Sequence, residues 1–227
     1  MNSLKYLIQF LIILFLFFIF KILGLKLSTI VSSKIFRYIG PFFRSKKLIE
    51  KNILKGIPNL SLLEVKEITN KMWENYGRIF SEYVFIKEFR NSKLNDNLQI
   101  TGQEILDKIR DEKEPVIFIS GHFNNFELMA MHIEKSGINL ATIYRPLNNK
   151  FLNFLMEKIR KKYICKHQIE KGIPGTKKLL SFFKNGSSIA LMIDQRVSEG
   201  ELINFFDKPA LTTTLPAQLA MKYDLAI

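Results

Sequence analysis

The spacing of apolar residues changes several times along this chain, and each change marks an element. Residues 10–20 read FLIILFLFFIF, eleven apolar positions without a break, and the run reaches back to Tyr6 if Gln9 is allowed. Crossing a bilayer core takes about 20 mainly apolar residues, so this run is slightly short, although Lys5 and Lys21 can snorkel and extend it. The segment reads as a membrane anchor, either spanning or deeply embedded. A cleaved leader fits less well: Lys5 is the only cation before the run, and no small-x-small cleavage site follows at once.

Between Lys21 and Lys55 the pattern is mixed. Nine Lys or Arg, against the single acid Glu50, alternate with Ile22, Leu25, Ile30, Ile35, Phe36, Phe42 and other apolar residues. That mixture at helical spacing describes an interfacial segment on anionic lipid. Gly56-Ile57-Pro58-Asn59 then breaks the pattern, and Ser61 with Glu64 has capping-box spacing. A helix is predicted from there to about Phe85, with Val65, Ile68, Met72, Tyr76, Ile79 and Tyr83 on its buried face.

From Ile100 onward short β-branched runs alternate with longer helical patterns. Helices are expected over 102–110, 126–135, 149–162 and 175–184, the last with Leu179, Leu180, Phe182 and Phe183 on its apolar side. Strands are expected over 116–120, 140–143 and 189–193. A final helix opens at Thr214-Leu215-Pro216, with Thr214 as N-cap. The alternation predicts an α/β fold: a mostly parallel sheet flanked by helices, preceded by the anchor helix and the basic interfacial region. The organisation read from this is an anchor over 1–26, a basic amphipathic helical region over 27–99 and an α/β core over 100–227.

Charge narrows the choice of partner. The 227 residues carry 34 Lys plus Arg and 21 Asp plus Glu, a net charge of +13, which favours an anionic partner. Because the basic residues adjoin an apolar anchor rather than a reading helix or aromatic sheet face, the partner expected is an anionic membrane and not nucleic acid. The positive flank after Phe20 places that side in the cytoplasm. The single cysteine, Cys165, excludes an internal disulfide.

In open α/β sheets functional residues gather beyond the carboxyl ends of the strands. Three predicted strand ends carry unusual polar residues: Ser120-Gly121-His122-Phe123-Asn124-Asn125-Phe126-Glu127, Tyr144-Arg145-Pro146-Leu147-Asn148-Asn149, and Asp194-Gln195-Arg196. A loop closing into a helix can fold Glu127 back onto His122. A carboxylate on one ring nitrogen leaves the other as a base. The plainer reading makes His122 a structural loop histidine and Glu127 a first-turn acid favoured by the helix dipole. His132 and His167 read as ordinary helix or loop histidines. A serine elbow, a P-loop, a dinucleotide fingerprint and a zinc-protease motif are all missing from the sequence.

On these residues the chain resembles a known family. Gly121-His122-Phe123-Asn124-Asn125-Phe126-Glu127 is similar to the His-x4-Asp/Glu signature of glycerolipid-type acyltransferases. The closer resemblance is to the lauroyl/myristoyl late acyltransferases of lipid A biosynthesis. It is carried also by the N-terminal anchor, by Tyr144-Arg145-Pro146 with Asn148, by Asp194-Gln195, by Phe205-Phe206 with Pro209-Ala210 and Thr212, and by Pro216-Ala217. Members commonly have Gly where Asn124 stands and Trp where Phe126 stands; Asn tolerates the left-handed backbone such a Gly would adopt. The family normally continues beyond Ile227, where another strand would be starting, so the expectation is a C-terminally short core.

The resemblance implies transfer of a fatty acyl group from acyl carrier protein to a hydroxyl on a phosphorylated glycolipid acceptor. The implied setting is the cytoplasmic face of the cell inner membrane. His122 and Glu127 are then the catalytic candidates. Asn125, Arg145, Asn148, Asp194, Gln195 and Arg196 are the substrate-binding candidates, with Arg145 open to either an oxyanion or a lipid phosphate. No cofactor or metal is expected, because a thioester is already activated. A glycerophosphate or other glycolipid acceptor, or an inactive truncated lipid-binding relative, is the alternative.

Overall fold

The computed structural model describes residues 2–227. They sort into two compact units. One holds the residues up to Leu11 together with Ile86–Ile203 and Pro209–Ile227; the other holds Ile12–Phe85 and Asn204–Lys208.

The second unit is helical. Its first helix, α1 (Asn2–Ile39), begins in the other unit and breaks at Gly24, whose φ of 73° and ψ of 170° lie in a region that essentially only glycine enters. The stretch Ser3–Phe42, with a mean hydropathy of 2.6, is long and apolar enough to cross a membrane by length and composition. Helix α2 (Lys46–Gly56) starts at Ser45, whose hydroxyl accepts from Leu48 N–H. Helix α3 (Leu62–Glu82) starts at the expected box: Ser61 Oγ accepts from Glu64 N–H, and Glu64 accepts from Ser61 N–H at 2.8 Å.

The buried face of α3 is not the expected one. Its centre runs through Val65, Trp73, Gly77 and Ser81, while Tyr76 is 53% exposed. Ser28, Ser32 and Ser81 are fully buried, and a side chain added at Gly77 would meet the Ser32 carbonyl. Small residues let α1 and α3 approach closely, and a periodicity count weighted by large apolar side chains does not register them. Phe80 closes the contact: the rings of Phe17, Phe20 and Phe36 lie 5.2, 6.2 and 5.3 Å from it.

The first unit is the α/β body. Four parallel strands, β1 (Ile117–Ser120), β2 (Leu140–Tyr144), β3 (His167–Glu170) and β4 (Ser188–Met192), lie in the order β1-β4-β2-β3. Helices α4 (Ile86–Arg90), α5 (Gln103–Glu112), α6 (Glu127–Lys135), α7 (Lys150–Ile159), α8 (Ile173–Lys184) and α9 (Leu215–Tyr223) accompany them. One sheet face presents Ile117, Ala141, Ile169, Ile189 and Leu191 to Leu179 and Phe183 of α8 and Leu219 of α9. Each such apolar side chain contributes about 1.5–3 kcal/mol when fully buried. Helix α6 packs on β2 through Ala130, Met131 and Ile133.

Two features depart from the sequence expectation. His167 opens strand β3 rather than lying in a helix or loop. Its segment, His-Gln-Ile-Glu, buries only Ile169, as befits an edge strand. A hairpin of β5 (Glu201–Phe205) and β6 (Lys208–Thr212) also went unpredicted; Phe206 and Asp207 take φ of 50° and 55° in its two-residue turn, the geometry of a type I′ connection. Thr214 stands at the N-cap of α9, but its hydroxyl takes a hydrogen bond from the Gln218 amide, and the first helical N–H goes to Thr213 Oγ1.

Candidate active site

Strand register builds the site. Parallel pairing sets Ser120 opposite Met192, and Ile193 N–H donates to the Ser120 carbonyl at 2.9 Å, carrying the ladder one step further. His122 and Asp194 each lie two residues past their strand end, so adjacency of β1 and β4 puts them side by side. Asp194 Oδ2 accepts the His122 main-chain N–H at 2.8 Å, and Asp194 Oδ1 lies 2.8 Å from His122 Nδ1.

The loop around His122 is tight. Phe123 N–H donates back to the Gly121 carbonyl at 2.8 Å, a three-residue turn centred on the histidine. A Cβ at Gly121 would come within 2.8 Å of the Phe123 ring and 3.3 Å of the Asp194 carboxyl carbon, so a side chain there would displace the pair. Asn124 has φ 44°, the left-handed conformation expected of it. The Phe126 ring meets the imidazole edge-on at 4.8 Å and fixes its plane.

Asp194 accepting from Nδ1–H makes Nε2 the free base. Gln195 Nε2 lies 3.5 Å from that nitrogen, too long for a strong bond and close enough to steer a group arriving there. His122 and Asp194 side chains are each 35% exposed, so the base is open to substrate. Burial pushes the Asp194 carboxyl up, but the two hydrogen bonds and the charge from His122 together hold it below the ordinary aspartate value.

Glu127 occupies a different position from the one expected. It opens α6, is 8% exposed, and accepts through Oε1 from Arg160 Nε at 2.7 Å and from Arg160 Nη2. The hydrogen bond that orients His122 therefore comes from Asp194, while Glu127 is held by arginine. Burial pushes the Glu127 carboxyl up; the Arg160 charge and hydrogen bonds, and a smaller contribution from His122, pull it back.

Arg160 begins a π-helical turn, Arg160–Ile164, after α7, and its guanidinium lies 5.7 Å above the Tyr144 ring. Tyr144 in turn donates its hydroxyl to Glu157 at 2.6 Å. Arg160 was not singled out from sequence. It sits among Lys158, Lys161 and Lys162, and nothing local distinguishes it from them.

The remaining candidates distribute around the strand ends. Arg145 and Asn148, after β2, and Arg196, after β4, are exposed; Asn125 is buried at the start of α6. The buried polar residue of the second loop is Asn149, next to the one expected. Its Oδ1 accepts from Phe151 and Leu152 N–H at the head of α7, and its amide donates to the Tyr6 carbonyl at 2.9 Å.

A histidine base with an acid on its far nitrogen, set in a Gly-His-x4-Glu loop at the end of a parallel strand, is a site for activating a hydroxyl. A model of the bacterial lipid A biosynthesis acyltransferases matches residues 1–227, the whole chain. The chain belongs to that family. No curated protein matches it. Membership makes it one of a group of acyltransferases, to which an acyl donor and a lipid acceptor are implicit. Within a lipid A acyltransferase the loop from Gly121 to Glu127 is the segment that carries the signature, and its strand-end placement fits chemistry at an open face of the sheet.

Proposed function

We propose that this lipid A acyltransferase moves a fatty acyl group from acyl carrier protein to a hydroxyl of a phosphorylated lipid A precursor, working from the cytoplasmic side of the inner membrane. The observation that carries the reading is the His122–Asp194 pair, with Nε2 facing outward.

In this scheme His122 Nε2 takes the proton of the acceptor hydroxyl as its oxygen attacks the thioester carbonyl. Asp194 keeps the Nδ1 proton in place and stabilises the imidazolium that forms. The proton then passes to the departing thiolate, so the products are an ester and a free thiol. Glu127, buried beside the histidine loop and coupled electrostatically to His122, adds negative potential that favours the charged ring. Arg160 keeps Glu127 fixed. Two main-chain N–H groups of the loop are engaged, His122 with Asp194 and Phe123 with Gly121. Arg145 is the side chain offered for the tetrahedral oxyanion or for a phosphate of the acceptor. Asn125, Asn148, Gln195 and Arg196 shape the acceptor side.

A positioned base is worth about 10²–10⁴-fold in rate. The test offers full-length protein an acyl carrier protein loaded with labelled acyl chain, and as acceptors a late lipid A precursor and lysophosphatidate. His122→Ala should lose transfer to the precursor by that factor. Transfer that persists in His122→Ala removes the base from the scheme, and transfer confined to lysophosphatidate replaces the acceptor.

A further inference from the structure

The bend at Gly24 and the contacts at both ends of the apolar run bear on how this chain meets lipid. A straight helix would hold positions 17 and 36 about 28 Å apart at 1.5 Å per residue. Yet Phe17 and Phe36 both touch the ring of Phe80. Helix α1 therefore folds back at Gly24, and its apolar half lies against α3. The helix it lies on is hydrophilic elsewhere: Glu67 and Lys71 pair on its exposed side with side chains 64% and 69% exposed, and Arg37 of α1 reaches Glu74 at 2.8 Å. Lys21, placed by sequence to snorkel from the end of a span, instead lies 5.0 Å over the Phe85 ring.

The start of the apolar run is also engaged, in the α/β unit. Asn149, 6% exposed, donates to the Tyr6 carbonyl and approaches Gln9 Oε1 at 3.3 Å, and Phe10 stacks with Phe151 of α7 at 5.8 Å. Between Tyr6 and Phe20 a helix rises about 21 Å, against a hydrocarbon core of about 30 Å. The opposite face is bare: Leu4, Ile8, Leu11, Phe15, Phe18 and Ile22, at steps of three and four, are 49–69% exposed. Exposed lysines at 5, 26 and 34 accompany it.

We propose that α1 is an in-plane anchor, sunk into one leaflet of an anionic bilayer along the Leu4–Ile22 face, and that it does not cross. Lipid is the occupant because the bare stripe is continuous and apolar, the flanking charge is positive, and a polar amide and charged helix hold its other side. The inference stands independently of the reaction proposed above.

The experiment places an environment-sensitive fluorophore on Leu4→Cys, Leu11→Cys and Phe18→Cys, one at a time, in the full chain. The wild type, whose Cys165 is buried, is the unlabelled control. Each is bound to vesicles of phosphatidylethanolamine and phosphatidylglycerol carrying nitroxide quenchers at a shallow or a deep position. An in-plane helix gives the same depth at all three sites, within a few ångströms. A crossing helix gives a gradient, with successive sites about 10 Å apart along the normal, and that result overturns the proposal. Absence of quenching at every site, as when a second protein copy covers the stripe, overturns it equally. Activity is not read, so failure here is distinct from failure of the acyl-transfer scheme.

Discussion

One carboxylate of Asp194 holds His122 at two points, the main-chain N–H and ring Nδ1, both at 2.8 Å. The grip fixes backbone, tautomer and ring orientation together. Asp194→Asn keeps the shape and loses the charge, so the ring is free to settle in the wrong tautomer. The expected result is a fall in kcat on the order of 10²- to 10⁴-fold with KM little changed, measured by steady-state transfer. Folding should also report it. Because the Asp194 pKa is lowered in the folded chain, its stabilisation is present above the ordinary aspartate range near pH 4 and is lost as pH falls through the folded value. With a third of both side chains exposed, the amount is about 1 kcal/mol, and it should vanish in Asp194→Asn.

Arg160 and Glu127 form a buried pair, with side chains 16% and 10% exposed. Arg160→Met leaves a carboxylate without its partner. A loss of about 3–5 kcal/mol is expected by denaturant titration near neutral pH. Burial already raises the Glu127 pKa, and removing arginine raises it further. A raised carboxyl favours the folded state below its unfolded pKa and loses that advantage as pH rises through the folded one. The defect of Arg160→Met should therefore shrink as pH is lowered toward about 4; a defect independent of pH would assign it to packing alone.

Gly24→Ala tests the fold-back. Nothing lies within 4 Å of a Cβ built there, so the cost is purely that of the backbone, about 1–3 kcal/mol for a side chain forced into this region. Thermal unfolding in detergent should show the loss. Fluorescence of Trp73, which packs among these helices, should shift if α1 straightens.

Cys165 supplies an alkaline signature. It is 1% exposed, its thiol lies 2.9 Å from the Leu140 carbonyl, and burial pushes its pKa up to about 11. The unfolded thiol ionises near 8.5, so stability from this group is intact below that pH and declines as pH rises toward 11. Cys165→Ala should flatten the dependence of Tm on pH in that window, and native Cys165 should resist alkylation at pH 8 until the chain unfolds.

How much of this was legible in sequence depended on which physics set each feature. The capping box at Ser61, β1, β2, β4 and helices α6 to α8 follow from local chemistry and periodicity, and the sequence announces them. Strand β3 buries one residue, Ile169, and the β5–β6 hairpin has an exposed first strand, so neither leaves an apolar pattern. The three strand ends were visible as candidate loops. Which of them meet was not, because strand order is a tertiary property: β4 lying beside β1 brings Asp194 rather than Glu127 to the imidazole. Arg160 was invisible because its partner is 33 residues away and its neighbours are equally basic.

The strand order has a consequence for biosynthesis. The strand lying between β1 and β2 is β4, the last of the four to leave the ribosome. Until it arrives, the two earlier strands have no hydrogen-bonded neighbour in common, and the imidazole at position 122 has no counter-ion. The nascent chain thus stays chemically silent through most of its translation, and the enzyme is switched on by the same event that closes its sheet.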